Sequence, residues 1–483
     1  MNKRMWALSG LTALLAACGT LSSTTSDGPG AGPGRVMPGQ IVVKYRPGLS
    51  AASVKPLSHT RLLSTTRADT WGRLALVGVP EGQEEAYAGR YAAQGGVEYA
   101  EPNYRVERPR DAGLTLATRP AGAGRVRAAA ATFSSGVTDP YFVQSPVDAE
   151  GRNPFDLTAG QTADGETAYT GETYLWGLSR VRAPAAWDAG LTGRGVVVAV
   201  VDEGIDLGHP DLAANLWENP DPNSSTCPGQ HGYDFVDDDP DPSDSGGHGT
   251  HVAGIIAAAA NGQGVVGVAP EARLMVVRGL GYLGGSVYTL TRALKYAADC
   301  GAQVVNNSWE SSGRSRAHED VLAYGTARGV TYVFAAGNDY SGRANPPIYP
   351  AASSTTLPGV IGVGATSNDN RLAAFSSRGD WVTVAAPGAA ILSSIPRSQN
   401  PNDPYAFLQG TSMAAPHVSG VVALMYQARP DITPEGVRQA LTWSANSRVT
   451  GQNSKPDYPT GGSYGYGIVD AVAAVQYARE SLR

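Results

Sequence analysis

Short, continuous runs of apolar, mostly β-branched residues recur along the chain from residue 195 onward: Gly195–Val201 (GVVVAVV), Leu274–Val277, Val304-Val305, Val330–Ala336 and Val360–Val363. Runs of strand length without polar alternation are the pattern of parallel strands covered on both faces. The stretches His251–Ala260, Ser286–Asp299 and Arg316–Arg328 between them read as helices. Such alternation predicts an α/β fold, a doubly wound parallel sheet with helices on both faces. Two more helices are expected. One runs from Ser412 to about Ala428; the other is opened by Thr433-Pro434-Glu435, an N-cap, a first-turn proline and a first-turn carboxylate, and runs to about Ser444.

Nearer the N-terminus the pattern changes. Gln40–Tyr45, Leu74–Val79 and Val97–Tyr99 read as strands and Glu84–Gln94 as a short helix, which predicts a small α+β module over residues 39–107. Residues 19–38 are a Ser, Thr, Gly and Pro tether, and residues 108–137, rich in Ala, Gly and Arg, form a second linker where cleavage is expected. Residues 138–483 then make up the large α/β domain. At the start, Lys3-Arg4 precedes an apolar stretch, Met5–Ala17, that is too short to span a bilayer of about 30 Å and reads as a secretion signal. Leu15-Ala16-Ala17-Cys18 resembles the bacterial lipobox, which implies a signal peptide over residues 1–18 and a lipid on Cys18.

The composition, 42% apolar and 17% charged over 483 residues, is that of a folded chain. A net charge of −6, with the basic residues scattered, argues against nucleic acid as a partner. In an exported chain Cys227 and Cys300 either form a bridge or remain two buried thiols; spacing does not decide. The run Asp237-Asp238-Asp239-Pro240-Asp241 is either a calcium site, with Asp237, Asp239 and Asp241 as oxygen ligands, or a solvated acidic loop.

Functional groups of an open α/β sheet gather beyond the carboxyl ends of its strands. Asp202 directly follows the first apolar run, His248 lies in Gly246-Gly247-His248-Gly249-Thr250-His251 at a helix entrance, and Ser412 lies in Gly410-Thr411-Ser412-Met413-Ala414-Ala415-Pro416 at the start of another helix. Each alone has an ordinary reading as a cap or turn residue. A metal pair at His248 and His251 lacks acidic or Cys ligands nearby, and His251 reads as structural. Together the order Asp, His, Ser is that of a subtilisin-type triad. Esterases of the α/β-hydrolase type run Ser, Asp, His and need a Gly-x-Ser-x-Gly elbow, but position 414 is Ala.

From about Tyr174 to the end the chain resembles the subtilisin-like serine peptidases of the subtilase family. Asp202-Glu203-Gly204 with His209-Pro210-Asp211-Leu212, then His248–Gly254, then Gly410–Pro416 match its three blocks, and Tyr464-Gly465-Tyr466-Gly467 with Asp470-Ala471 extends the match. The resemblance implies catalytic Asp202, His248 and Ser412, and an oxyanion donor at Asn338 in Ala335-Ala336-Gly337-Asn338. It also implies substrate-binding positions at Ser308, Trp309, Glu310, Gly337, Asp339 and Ile348, and a cis Tyr349-Pro350 bond in a turn beside the pocket. Residues 39–107, ending Val97-Glu98-Tyr99-Ala100-Glu101-Pro102-Asn103-Tyr104, resemble the family's inhibitory propeptide.

The implied protein is a monomeric, secreted serine endopeptidase made as an autoinhibited zymogen, needing no cofactor for catalysis. Its precursor would be tied to the cell envelope through Cys18 and its mature form released. The rival is an idle surface lipoprotein that keeps the fold as a binding module. Two departures from the family pattern bear on specificity. Glu203 stands where a small hydroxyl residue is usual; it either faces the site and raises the His248 pKa or, as acidic residues more often do, faces solvent. Ser308-Trp309-Glu310-Ser311 replaces a common Ser-x-Gly-Gly, which puts Glu310 and Asp339 near the pocket rim and Ile348 near its floor.

Overall fold

The computed structural model describes residues 35–67, 69–109, 137–143, 174–244, 246–341, 345–446 and 465–480. The expected signal peptide and Cys18, most of the tether, and the linker from residue 110 to 136 lie outside the described residues.

The N-terminal module is the α+β unit expected, built from β1 (Val36–Tyr45), β2 (Arg61–Thr65), β3 (Arg73–Gly78), a helix over Glu84–Ala92 and β4 (Val97–Glu107). Its strands pair antiparallel in the order β4-β1-β3-β2. Ile41, Val43 and Tyr45 of β1 bury one face against Tyr87, Ala88 and Tyr91 of the helix, the alternation a one-sided sheet requires. β4 is far longer than the three residues its sequence suggested, because Ala100–Pro102 and Tyr104 go on pairing with β1 and Arg105–Glu107 are then held by the large domain.

The large domain contains β5 (Val197–Asp202), β6 (Gly232–Asp234), β7 (Arg273–Arg278), β8 (Gly285–Ser286), β9 (Val304–Asn307), β10 (Glu310–Ser311), β11 (Thr331–Ala335), β12 (Val360–Thr366), β13 (Val384–Pro387), β14 (Ile391–Ser394) and β15 (Tyr405–Leu408). Seven of them form one parallel sheet in the order β13-β12-β11-β9-β5-β7-β6, as the apolar runs predict. Burial on both faces is explicit in β5, where Val198 and Val200 join the core containing helices His248–Ala257 and Thr411–Ala428, while Ala199 and Val201 join the core containing Val287–Asp299 and Arg316–Thr326. Strand order reverses between β5 and β9, so the crevice for chemistry opens beyond Asp202 and Asn307. Cys227 and Cys300 form a disulfide with Cα atoms 5.6 Å apart, and the Tyr349-Pro350 bond is cis. Among the described residues no helix is long and apolar enough to cross a membrane.

The N-terminal module docks on the helices of the second core. Glu101 accepts hydrogen bonds from Ser315 Oγ (2.7 Å), Arg316 N (2.8 Å) and Ala317 N (3.0 Å), filling donors that the first turn of helix Arg316–Thr326 leaves free. Asn103 Oδ1 accepts from Tyr288 N at 3.0 Å in the same way. Buried Lys44 reaches Asp320 at 2.6 Å and lies over the Trp71 ring.

Candidate active site

Asp202 is the last residue of β5 and fully buried. Its Oδ1 accepts from the Glu203 amide at 2.9 Å and from His248 Nδ1 at 2.8 Å. His248 opens its helix because Gly247 before it adopts φ +96°, a left-handed conformation that favours glycine, and because Asp244 accepts from Gly246 N and Gly247 N at 2.7 Å each and from Thr250 N at 3.2 Å. A Cβ at Gly249 would overlap the Gly204 carbonyl oxygen and lie 3.2 Å from Asp202 Cβ, so only glycine lets this helix press onto the end of β5. Burial disfavours the charged His248 ring, but the Asp202 carboxylate outweighs it and holds the pKa above the usual imidazole value. His251, one turn on, is structural as expected: its Nε2 faces the Ile391 and Ala406 carbonyls, and burial pushes its pKa down to about 3.

Ser412 sits in the first turn of Thr411–Ala428. Pro416, four residues on, has no N–H to give the Ser412 carbonyl, and Ser308 Oγ supplies the bond instead at 2.8 Å. The Ser412 hydroxyl donates to the Ser308 carbonyl at 3.4 Å and makes no hydrogen bond to His248. Such contacts are often long before substrate binds and tighten in its complex. Asn338 follows β11; its Oδ1 accepts from Thr411 N and Thr411 Oγ1, both at 2.9 Å, which fixes the amide plane. A Cβ built on Gly410 would lie 3.1 Å from Asn338 Nδ2 and 3.5 Å from Ser412 N, so the two donors flank one space. The sequence singled out Asn338 but not Thr411, whose orienting role appears only when β11 and the helix are side by side.

The other expected positions surround this centre. Ser308 follows β9, and a Cβ at Gly337 would overlap Ile348 Cδ1 and come within 3.2 Å of Glu310 Oε2, which places both side chains against the floor beside Asn338. Asp339 is exposed at the edge. Trp309 lies wholly inside, its ring against His318 and Phe334, in the apolar cluster that also takes Leu280, Tyr288 and Val106 of β4. β4 runs antiparallel between β8 and β10, pairing Val106 with Gly285 and Ser311 and Glu107 with Glu310. That pairing completes a sheet across the cleft, in the manner of strand addition.

Two pairs of alternatives left open by the sequence bear on the acidic residues. Glu203 takes the inward reading and does not face solvent: it is 1% exposed, beside Asp202, with Gly246 against its carboxylate and Oε1 3.2 Å from Arg108 Nε. The acidic loop does not assemble the calcium ligands. Asp237 pairs with Arg278 at 2.6 Å, Asp239 accepts from Asp241 N at 2.9 Å, and Asp241 accepts from Ser243 N at 3.2 Å. Among the described residues no group of three or more acidic, His or Cys side chains is placed to hold a metal ion, and Asp237, Asp239 and Asp241 as they stand do not fit a calcium centre.

Comparison with known proteins agrees with this geometry. The Subtilase family profile matches residues 193–467, and the Fervidolysin N-terminal prodomain profile matches residues 24–103. The chain is 39% identical over 314 residues to M-protease of Shouchella clausii, covering 65% of this chain and 73% of that protein, and 40% identical over 302 residues to Subtilisin Savinase of Lederbergia lenta, covering 62% and 98%. The crystal structure of fervidolysin from Fervidobacterium pennivorans, a keratinolytic enzyme related to subtilisin, superposes with a TM-score of 0.64 at 28% identity, over 92% of this chain and 62% of that one. The chain belongs to the subtilase family of serine peptidases and carries a fervidolysin-type N-terminal prodomain.

Proposed function

We propose that the protein is an exported serine endopeptidase that cleaves peptide bonds through an acyl-enzyme and is made as a zymogen inhibited by its own prodomain. The observation that carries this reading is the Asp202–His248 bond of 2.8 Å with Ser412, its amide and Asn338 gathered at the sheet's C-terminal edge. His248 takes the Ser412 proton as Oγ bonds to the carbonyl carbon, then delivers it to the amine as the C–N bond breaks; water repeats the sequence on the acyl group. Asp202 holds the tautomer and stabilises the imidazolium, and Asn338 Nδ2 with Ser412 N receives the oxyanion.

β4 lies in the cleft like a product strand, so self-cleavage after residue 107, within the 108–137 linker, frees the peptidase domain from a prodomain that still inhibits it. Cleavage there also separates the domain from a lipid at Cys18, so the precursor stays on the envelope and the monomeric mature enzyme leaves it. Casein digestion by the matured protein, abolished by a serine-directed phosphonyl reagent, is the test; undigested casein together with tight binding of a partner favours the idle binding module.

Asn338→Leu is expected to lower kcat by about 10²–10³ with little change in KM, the magnitude known for the oxyanion amide of subtilisin itself. An unchanged kcat removes Asn338 from the mechanism. The acid limb of kcat/KM should lie above the imidazole reference value of about 6.5, because the active ring is neutral and Asp202 raises the pH at which it protonates. A profile flat from about pH 5 to 9 contradicts His248 as base. Glu101→Ala in the full chain removes an acceptor of three bonds at the docking face, each such charge-assisted bond contributing about 1.5–3 kcal/mol, so residual inhibition after linker cleavage should weaken at least tenfold. Unchanged inhibition would mean β4 alone holds the prodomain.

A further inference from the structure

Three carboxylates meet where helix His248–Ala257 abuts the end of β5: Asp202, Glu203 and Asp244. Two are served by their own domain. Asp202 is bonded to His248 and the Glu203 amide, and Asp244 to Gly246 N, Gly247 N and Thr250. Glu203 is different. Its side chain is 2% exposed, Oε2 is buried without a hydrogen-bond partner among the described residues, and Oε1 meets only Arg108, 3.2 Å away, which follows β4.

We infer that Glu203 forms a substrate subsite for a basic side chain, so that the enzyme prefers Arg, then Lys, at the position that Arg108 occupies in the prodomain strand. The inference rests on the reading that β4 lies in the cleft as substrate does.

A buried carboxylate with no donor is costly unless a cation comes to it. Within the peptidase domain the cation acting on Glu203 is His248, which must be neutral to act as base. Burial, with the charge of Asp202, pushes the Glu203 pKa up to about 7, and His248 and Arg108 pull against that rise. The missing cation therefore comes with the chain in the cleft. Val106 and Glu107 fix the register by pairing with β8 and β10, so a substrate paired in that register sets its next side chain where Arg108 lies. Space for the carboxylate is made by Gly246, where a Cβ would overlap Glu203 Oε2. Two oxygens, one still without a partner, suit the two-pronged guanidinium better than an ammonium.

The test uses the matured wild-type enzyme on a peptide library with cleavage sites mapped by mass spectrometry. A well-cleaved sequence is then resynthesised with Arg, Lys, norleucine or Glu at the selected position. Arg should exceed norleucine by about 10- to 100-fold in kcat/KM, with Lys between them and Glu poorest. In Glu203→Gln the Arg-to-norleucine ratio should fall towards one, and in Glu203→Asp part of it should return. Wild-type cleavage without a basic preference at any position before the cut overturns the subsite and leaves the Arg108–Glu203 pair as a latch of the precursor alone. A preference undiminished in Glu203→Gln overturns it too, since another group would then read the cation. Casein and peptides all left uncut would instead defeat the endopeptidase reading, and the subsite with it.

Discussion

Ser412→Ala is expected to lower kcat by on the order of 10⁶, the magnitude known from subtilisin itself rather than from this structure, and to leave the precursor uncut in its linker. The substitution removes one oxygen from a buried residue whose hydroxyl makes a single long contact, 3.4 Å, to the Ser308 carbonyl. The bond that secures this turn runs the other way, from Ser308 Oγ to the Ser412 carbonyl, and Ala retains that carbonyl. Thermal stability should therefore change little, and the loss should be chemical. Mass spectrometry of the variant should find residues 39–107 still joined to the peptidase domain. Matured in trans by wild-type enzyme, it should bind substrate with near-normal KM and fail to turn it over. Normal maturation of the variant on its own would transfer processing to another protease.

Asp202→Asn should lower kcat by about 10⁴, the effect of this change in serine-protease triads generally. Asp202 Oδ1 serves both the Glu203 amide and His248 Nδ1. An amide in its place keeps one acceptor for two donors and loses the charge that stabilises the imidazolium. The sign of the pH effect separates this from misfolding. Burial alone lowers the His248 pKa and Asp202 is the leading effect that raises it, so the acid limb of the residual activity should move to lower pH even as the rate collapses. A limb that stays in place while kcat falls would mean the substitution disturbs the site by another route.

The parts of this fold that were legible in the sequence are those in which one residue type serves one purpose. GVVVAVV is buried on both faces and reads as a central parallel strand; β13, with only Val384-Ala385-Ala386-Pro387, carries too little apolar weight to stand out. β4 looked three residues long because Glu101, Pro102 and Arg105 break the apolar pattern, although Pro102 pairs with Ile41 of β1, and Glu101 and Arg105 are explained by what they meet in the peptidase domain. Asp202, His248, Asn338 and Ser412 were legible because they stand inside small-residue blocks that admit close packing. For Glu203 the sequence left open whether it faces the site or solvent, and only its burial against Gly246 shows it turned inward. The Asp237–Asp241 run left two readings open because consecutive carboxylates look like ligands, whereas in the fold Asp237 pairs with Arg278, Asp238 with Arg292, and Asp239 and Asp241 with backbone amides of their own turns. Pairing of Cys227 with Cys300 needed the Cα separation of 5.6 Å, which no spacing of 73 residues implies.

The central claim is that Ser412 is a nucleophile activated by His248. The direct measurement is covalent labelling of the matured enzyme with a phosphonyl fluoride, followed by peptide mapping as activity is titrated to zero. One phosphonyl group per molecule, on the peptide bearing Ser412, with labelling rate falling through the same acid limb as kcat/KM, is the predicted result. Full inactivation with the label on another residue, or stoichiometric labelling of Ser412 that leaves casein digestion intact, would contradict it.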